Sequence, residues 1–232
     1  MSSRIPEEVR KLIIHSLATI ADKISVAALV AALQHDPSAN VRIAAIEELK
    51  WLGGTEMLID ALRDKSAAVR RAAARALGCR RFSSDASAAV TALATVLRED
   101  RNVSVREEAL RAITRQDTGV ALDILTEALA NDPSPTVRAA AAEELSRISS
   151  DNAVAADALL TALTSDKSSK VRAAAAAAIG RLDEDENVIN RDVIINALTK
   201  AFADDSVTVK NAVISALQAI GASEVLVALA GG

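Results

Sequence analysis

Five arginines, Arg70, Arg71, Arg75, Arg80 and Arg81, crowd a short stretch of an otherwise acidic chain. Guanidinium groups at that density can grip a carboxylate or a phosphate through paired N–H donors. Arg111 and Arg115 are expected on the neighbouring helix, which would widen the patch. Trp51 lies upstream as a candidate interface anchor, because an exposed tryptophan beside arginines is a common hot spot. Cys79 sits near cations that could lower its pKa, yet with no second Cys or partnered His close in sequence it reads as a small buried residue. Other chemistry finds little support. His15 and His35 stand alone, without metal-ligand spacing. The run Asp183, Glu184, Asp185, Glu186 lacks the alternating ligands and glycine turn of a calcium loop and reads as a solvated connector. There is no Gly-rich phosphate loop, Ser/His/Asp set or nucleotide fingerprint, so no catalytic residue, cofactor site or metal site is expected.

A second pattern runs nearly the whole length. An aspartate is followed five residues later by valine and six residues later by a cation. The pairs are Asp36/Arg42, Asp64/Arg70, Asp100/Arg106, Asp132/Arg138, Asp166/Arg172 and Asp204/Lys210, with Val41, Val69, Val105, Val137, Val171 and Val209 between them. Successive aspartates are 28, 36, 32, 34 and 38 residues apart, the period of a helical hairpin stacked on its neighbours.

The elements that position these residues can be read from one unit. Residues 121–130 place Leu122, Leu125 and Leu129 on one helical face. Asn131-Asp132-Pro133-Ser134 makes a turn, and Val137, Ala141 and Leu145 open a second apolar face. Two residues after each aspartate stands Ser38, Ser66, Asn102, Ser134, Ser168 or Ser206, each a good N-cap for the helix that follows. The aspartate just ahead of the helix suits the positive end of its dipole. The arginine one turn inside can reach that aspartate or the one in the next repeat, and a structural ladder of such contacts is expected. The alanine runs from Val41, Val69 and Val171 let neighbouring hairpins approach closely, and alanine is the strongest helix former.

These units resemble the HEAT-repeat family, in particular the short bacterial type named after phycobilisome lyases, whose repeats carry an Asp, a Val-Arg, an alanine run and a Leu-Gly. Asp64 to Gly78 and Asp166 to Gly180 carry the resemblance, with Val9-Arg10 as an N-terminal half-unit. It implies an all-α fold: a right-handed α-solenoid of about six hairpins plus an N-terminal capping helix. One domain is expected over 1–232, with the capping helix at 6–20, repeats at about 22–53, 54–82, 85–116, 118–150, 151–183 and 187–221, and a partial helix at 222–232. In such stacks the second helices are expected to line the concave face. Positions two and six beyond each valine then read Lys11/His15, Ile43/Glu47, Arg71/Arg75, Glu107/Arg111, Ala139/Glu143, Ala173/Ala177 and Asn211/Ser215. The N-terminal half is charged and the C-terminal half bland, so binding should favour the first half. The di-iron hydroxylases of this superfamily carry His-Glu pairs, whereas His15 precedes Ser16 and His35 precedes Asp36. HEAT-like DNA glycosylases rely on a basic, aromatic-rich cleft, and this chain has only Trp51, Phe82 and Phe202 as aromatics.

Net charge is −4, which opposes a nucleic-acid binder. The opening Met1-Ser2-Ser3-Arg4 has no apolar signal core, and no apolar run approaches the roughly 20 residues of a membrane span. A lone cysteine fits a reducing compartment. A cytoplasmic protein is expected, with another protein as partner, no nucleic acid, no membrane and no cofactor. The apolar C-terminal edge, Val225, Leu226, Val227 and Leu229, is a candidate surface for a homo- or heterodimer. The expected function is a non-catalytic scaffold that holds a protein on its concave face through Trp51, Arg71, Arg75, Arg80, Arg81, Arg111 and Arg115. The alternative, implied by the repeat subtype alone, is a phycobilin lyase subunit or bilin-handling chaperone, the one enzymatic role in view.

Overall fold

The computed structural model describes residues 5–79, 86–116, 120–148, 153–182 and 191–231, and among these every regular element is an α-helix. The chain divides into two compact units, Met1–Thr118 and Gly119–Gly232. In the first, α1 (Glu7–Ile20), α3 (Ala39–Leu49), α5 (Ala67–Leu77) and α7 (Val103–Arg115) form one layer, each packed on the next. The layer behind them holds α2 (Lys23–His35), α4 (Thr55–Ala61) and α6 (Ala86–Glu99). The second unit repeats the arrangement. There α9 (Pro135–Ile148), α11 (Ser169–Leu182) and α13 (Val207–Ala219) pack in series, backed by α8 (Ala121–Asn131), α10 (Ala153–Ser165) and α12 (Arg191–Ala201). Finally α14 (Ser223–Gly231) packs on α13, yet none of its residues is buried and Val227 is 73% exposed.

The two layers pack at different distances for a reason written in side-chain size. Second helices present alanines to one another: Ala72, Ala73 and Ala76 on α5 and Ala175, Ala176 and Ala178 on α11 are all buried. Two contacts are closer still. A Cβ added at Gly78 would lie 2.9 Å from both Cα and Cβ of Ala112, and one at Gly180 would lie 2.7 Å from Cα and 2.8 Å from Cβ of Ala216. The first helices bury larger residues such as Leu29, Leu58, Leu93, Leu125 and Leu159 and leave grooves between them. One of about 710 Å³ lies between α8 and α10, and one of about 530 Å³ between α2 and Met57 of α4.

Each motif valine inside a hairpin, Val41, Val69, Val105, Val137, Val171 and Val209, is completely buried. Val9, the equivalent residue on α1, is 43% exposed, and among the described residues no first helix covers that face.

The caps follow expectation only in part. Ser38 Oγ accepts from Asn40 N–H, Ser134 Oγ from Thr136 N–H, and Asn102 Oδ1 from both Ser104 N–H (3.0 Å) and Val105 N–H (3.3 Å). At Ser66 and Ser206 the side chain makes no cap bond. The aspartate two residues earlier takes over part of the task, since its Oδ1 accepts the N–H of the cap residue itself in all six hairpins, at 2.7–2.9 Å. Asn102→Ala should therefore cost about 1 kcal/mol, whereas Ser66→Ala should cost well under half of that. Urea denaturation of the two variants checks the order, and equal losses would show that the side-chain bonds are immaterial.

Candidate functional site

The Asp/Arg motif builds a latch between repeats. Arg42 donates from Nε to Asp64 Oδ2 (2.7 Å) and from Nη2 to Asp64 Oδ1 (2.9 Å), while Nη1 donates to the carbonyl of its own repeat's Asp36 (2.8 Å). Arg70 does the same with Asp100 (2.6 and 2.9 Å) and the Asp64 carbonyl (2.9 Å). In the second unit Arg138 forks onto Asp166 and Arg172 onto Asp204, each with Nη1 on the carbonyl of its own motif aspartate. Arg10 opens the series on Asp36 at 2.8 and 3.1 Å. Arg106 Nη1 donates to the Asp100 carbonyl, and Asp132 Oδ1 accepts from Ser134 N–H, as in the other repeats. Of the two acceptors within reach, the carboxylate used is thus the next repeat's, and the arginine's own aspartate contributes only its carbonyl. Lys210 has no fork to offer and instead stands over the Phe202 ring, 5.9 Å from its centroid. An arginine fork satisfies both carboxylate oxygens in a fixed plane, which a lysine point charge does not.

These latches tune the carboxylates. For Asp64, Asp100 and Asp166, burial pushes upward, but the guanidinium fork, the cap residue's N–H and the surrounding cations together hold each below the usual carboxylate range. Asp204 is lowered chiefly by the hydrogen bond from Arg172. A carboxyl group whose folded pKa lies below its unfolded value contributes stability above the unfolded pKa, about 3.9, and that stability is lost as pH falls through the folded value. Helicity followed by circular dichroism should accordingly hold from pH 7 to about 4 and fail below it. Loss already between pH 7 and 5 would contradict this role of the aspartates.

The second-helix layer of Met1–Thr118 carries the charged residues singled out in the sequence. Arg71 and Arg75 project from α5 one turn apart, both exposed. Arg75 Nη2 reaches Glu47 Oε1 of α3 at 2.5 Å, and Lys50 bonds the other oxygen of Glu47. Arg111 lies 3.7 Å from Glu107 on α7, and Arg115 3.4 Å from Glu108. The Arg115 guanidinium also lies over Gly78 at the end of α5, and Gln116 Nε2 donates to the Leu77 carbonyl, tying the ends of α7 and α5 together. Trp51, in the turn after α3, is 54% exposed, with Lys50 Nζ 5.0 Å from its ring centroid. One tract thus runs from Trp51 through Lys50, Glu47 and Arg75 to Gly78 and Arg115. Arg71 forms no hydrogen bond or ion pair among the described residues. Arg80 and Arg81, with Phe82 and the Asp183 to Glu186 run, lie outside the described residues.

The glutamates are what sequence reasoning missed. Glu47 and Glu107 appeared only as charged face positions, and Glu48 and Glu108 not at all, yet all four sit beneath the bases. In each arginine pair the acid is the more covered partner: Glu47 is 32% exposed against 55% for Arg75, Glu107 18% against 38% for Arg111, and Glu108 16% against 45% for Arg115, whereas Lys50 at 18% is covered more than Glu47. His15 over Glu48 follows the same order. The (i,i+4) spacing of Glu107 and Arg111 was the one signal in the sequence. Cys79 is half-buried, its Sγ 3.9 Å from the Arg75 carbonyl. Among the described residues no group of three or more His, Cys, Asp and Glu could hold a metal, and no helix is long and apolar enough to cross a membrane.

The comparison with known families decides what these hairpins are. A sequence model of HEAT repeats matches residues 4–78, 55–146, 90–180 and 156–232, which together span nearly the whole chain. The chain belongs to the HEAT-repeat family. Solved structures agree at the level of fold. The X-ray structure of YibA from Escherichia coli is similar over 94% of this chain and 76% of that one, at 21% identity and a TM-score of 0.57. A designed armadillo repeat protein in complex with the peptide (KR)4 is similar over 88% of this chain and 98% of that one, at 19% identity and TM-score 0.53. A structure described as the basis of microtubule plus-end tracking by XMAP215, CLIP-170 and EB1 is similar over 82% and 88%, at 19% identity and TM-score 0.55. No curated protein gives a significant match. The HEAT repeats therefore account for the α-solenoid class of the fold, and the latch is how this chain's hairpins are joined.

Proposed function

We propose that this HEAT-repeat chain is a non-catalytic cytoplasmic scaffold that holds another protein on the second-helix face of Met1–Thr118, the face expected to be concave. One observation carries the reading: two and six residues past its motif valines that face carries Arg71, Arg75 and Arg111, with exposed Trp51 in the turn after α3. The same positions of the second unit are Ala139, Glu143, Ala173, Ala177, Asn211 and Ser215, of which Ala139 and Ala173 are buried; Arg115, ten past its valine, has Arg147 and Arg181 as its equivalents there. Large rigid aromatics and arginines are the residues that dominate binding at protein interfaces. The designed repeat protein whose structure holds a (KR)4 peptide supports the idea that a stack of this type can present a peptide site. A photo-crosslinking residue placed at position 71 should capture the bound partner, and the same residue at position 177 should not. Equal capture at both positions would remove the face from consideration.

The bilin-handling alternative draws on the same arginines, which could grip propionates, but the large groove of the same unit, between α2 and Met57 of α4, lies in its first-helix layer. Incubation with a bilin should leave its visible spectrum unshifted, and a red shift with a sharpened band would favour the alternative.

A further inference from the structure

Resting on that reading of the face, we propose that the partner segment is an acidic peptide whose carboxylates dock on Arg71, Arg75, Arg111 and Arg115 while an apolar side chain covers Trp51. The argument is one of charge at different depths. Counted flat, the tract is close to balanced, with Glu47, Glu48, Glu107 and Glu108 set against its bases. Counted by exposure it is not balanced. In the pairs His15/Glu48, Arg75/Glu47, Arg111/Glu107 and Arg115/Glu108 the carboxylate is the more covered partner, while Lys50 is covered more than Glu47, so an approaching molecule meets the arginine guanidinium groups first. Arg71, exposed and without a partner among the described residues, has its full set of donors to give. A carboxylate accepts two of them in parallel, the geometry the chain itself uses in every latch. Complementary charge of this kind sets both the rate of encounter and the choice of partner.

The same depth profile disfavours a nucleic acid. Phosphates follow one another at fixed close spacing along a strand, and they would pass over the glutamates that alternate with the arginines here. Single strands also need a series of aromatic platforms, and this face offers Trp51. A peptide can place carboxylates over the arginines and leave the gaps neutral.

The experiment uses the full chain and its only tryptophan as reporter. Fluorescein-labelled peptides of alternating glutamate and leucine, and of alternating lysine and leucine, eight residues each, are titrated at low salt alongside a dodecameric thymidine oligonucleotide. The acidic peptide should bind, perturb Trp51 emission, and weaken at least tenfold in the double variant Arg71→Glu, Arg111→Glu. Neither residue bridges two helices, so the variant should keep wild-type helicity. Ala177→Glu, on the second unit, should leave binding unchanged. Binding of the basic peptide with the same Trp51 response would overturn the acidic partner but leave the face standing as a protein site. Preference for the oligonucleotide, or acidic binding that the double variant leaves intact, would overturn the inference outright. Acidic binding that is insensitive to the double variant and silent at Trp51 would also remove the face from the proposed function.

Discussion

Arg42→Ala is expected to destabilise the hairpins of Met1–Thr118 by about 3 kcal/mol, a large share of the stability of an ordinary domain. The Arg42 side chain is 3% exposed and its partner Asp64 13%. Truncation leaves the Asp64 carboxylate without its fork, retaining only the Ser66 N–H, and strips donors from the carbonyls of Asp36 and Pro37. A buried ion pair adds little net stability over well-packed apolar groups, but removing one member strands the other, and that asymmetry sets the size of the loss. Because repeats gain stability from contacts with their neighbours, the damage should spread to α3 and α5 on either side of the broken latch. Trp51 fluorescence in a urea titration reads this unit directly. Exposed Arg63→Ala, whose ion pair with Asp60 is long and solvated, should change stability by less than about 0.5 kcal/mol. A loss at Arg42 no larger than at Arg63 would show the latch to be ornamental.

Gly180→Leu should cost about as much, about 3 kcal/mol, and for a different reason. Gly180 lies inside α11, where replacing glycine would by propensity alone favour the helix by about 1 kcal/mol. Packing reverses the sign. Even a Cβ would lie 2.7 Å from the Ala216 backbone, and backbone cannot rotate aside as a side-chain end can. The larger side chain must drive α11 and α13 apart and break the alanine contacts along their length. Gly231→Leu, where nothing lies within 4 Å, provides the control and should be nearly neutral. Hydrogen exchange should show lost protection in α11 and α13 for the first variant and none for the second. Unchanged protection would mean that the two helices can part at no cost.

How much of this was legible in the sequence differs from residue to residue. The motif valines announced their burial because one side chain repeated at a hairpin period has to serve the same contact each time, and all six inside hairpins are fully buried. The cap residues were legible as positions, yet sequence could not show that at Ser66 the Asp64 carboxylate, not the serine hydroxyl, accepts the local N–H. The direction of the latch was hidden for a geometric reason. An arginine six residues past an aspartate can reach it in one turn of helix, so its own and the next repeat's carboxylates look equally available until the stacking distance is known. The Leu-Gly of Gly78 and Gly180 was visible as part of a pattern, but its purpose, a backbone approach on Ala112 and Ala216, depends on atoms more than thirty residues away in the chain. The candidate face was legible in its arginines and not in the depth of its glutamates, because burial of a charged side chain depends on which neighbouring helix lies beside it. The surface charge of a folded repeat is a property of layers, and a linear count of residues averages them.

The most direct test of the latch is a pair of double-mutant cycles that share Asp64. One cycle combines Asp64→Ala with Arg42→Ala in the preceding repeat, and the other combines it with Arg70→Ala in the same repeat, both read by urea unfolding at Trp51. Coupling between Arg42 and Asp64 should exceed about 1.5 kcal/mol, and coupling between Asp64 and Arg70, which takes only the Asp64 carbonyl, should stay near or below about 0.5 kcal/mol. The reverse order would place the carboxylate with its own repeat and contradict the account.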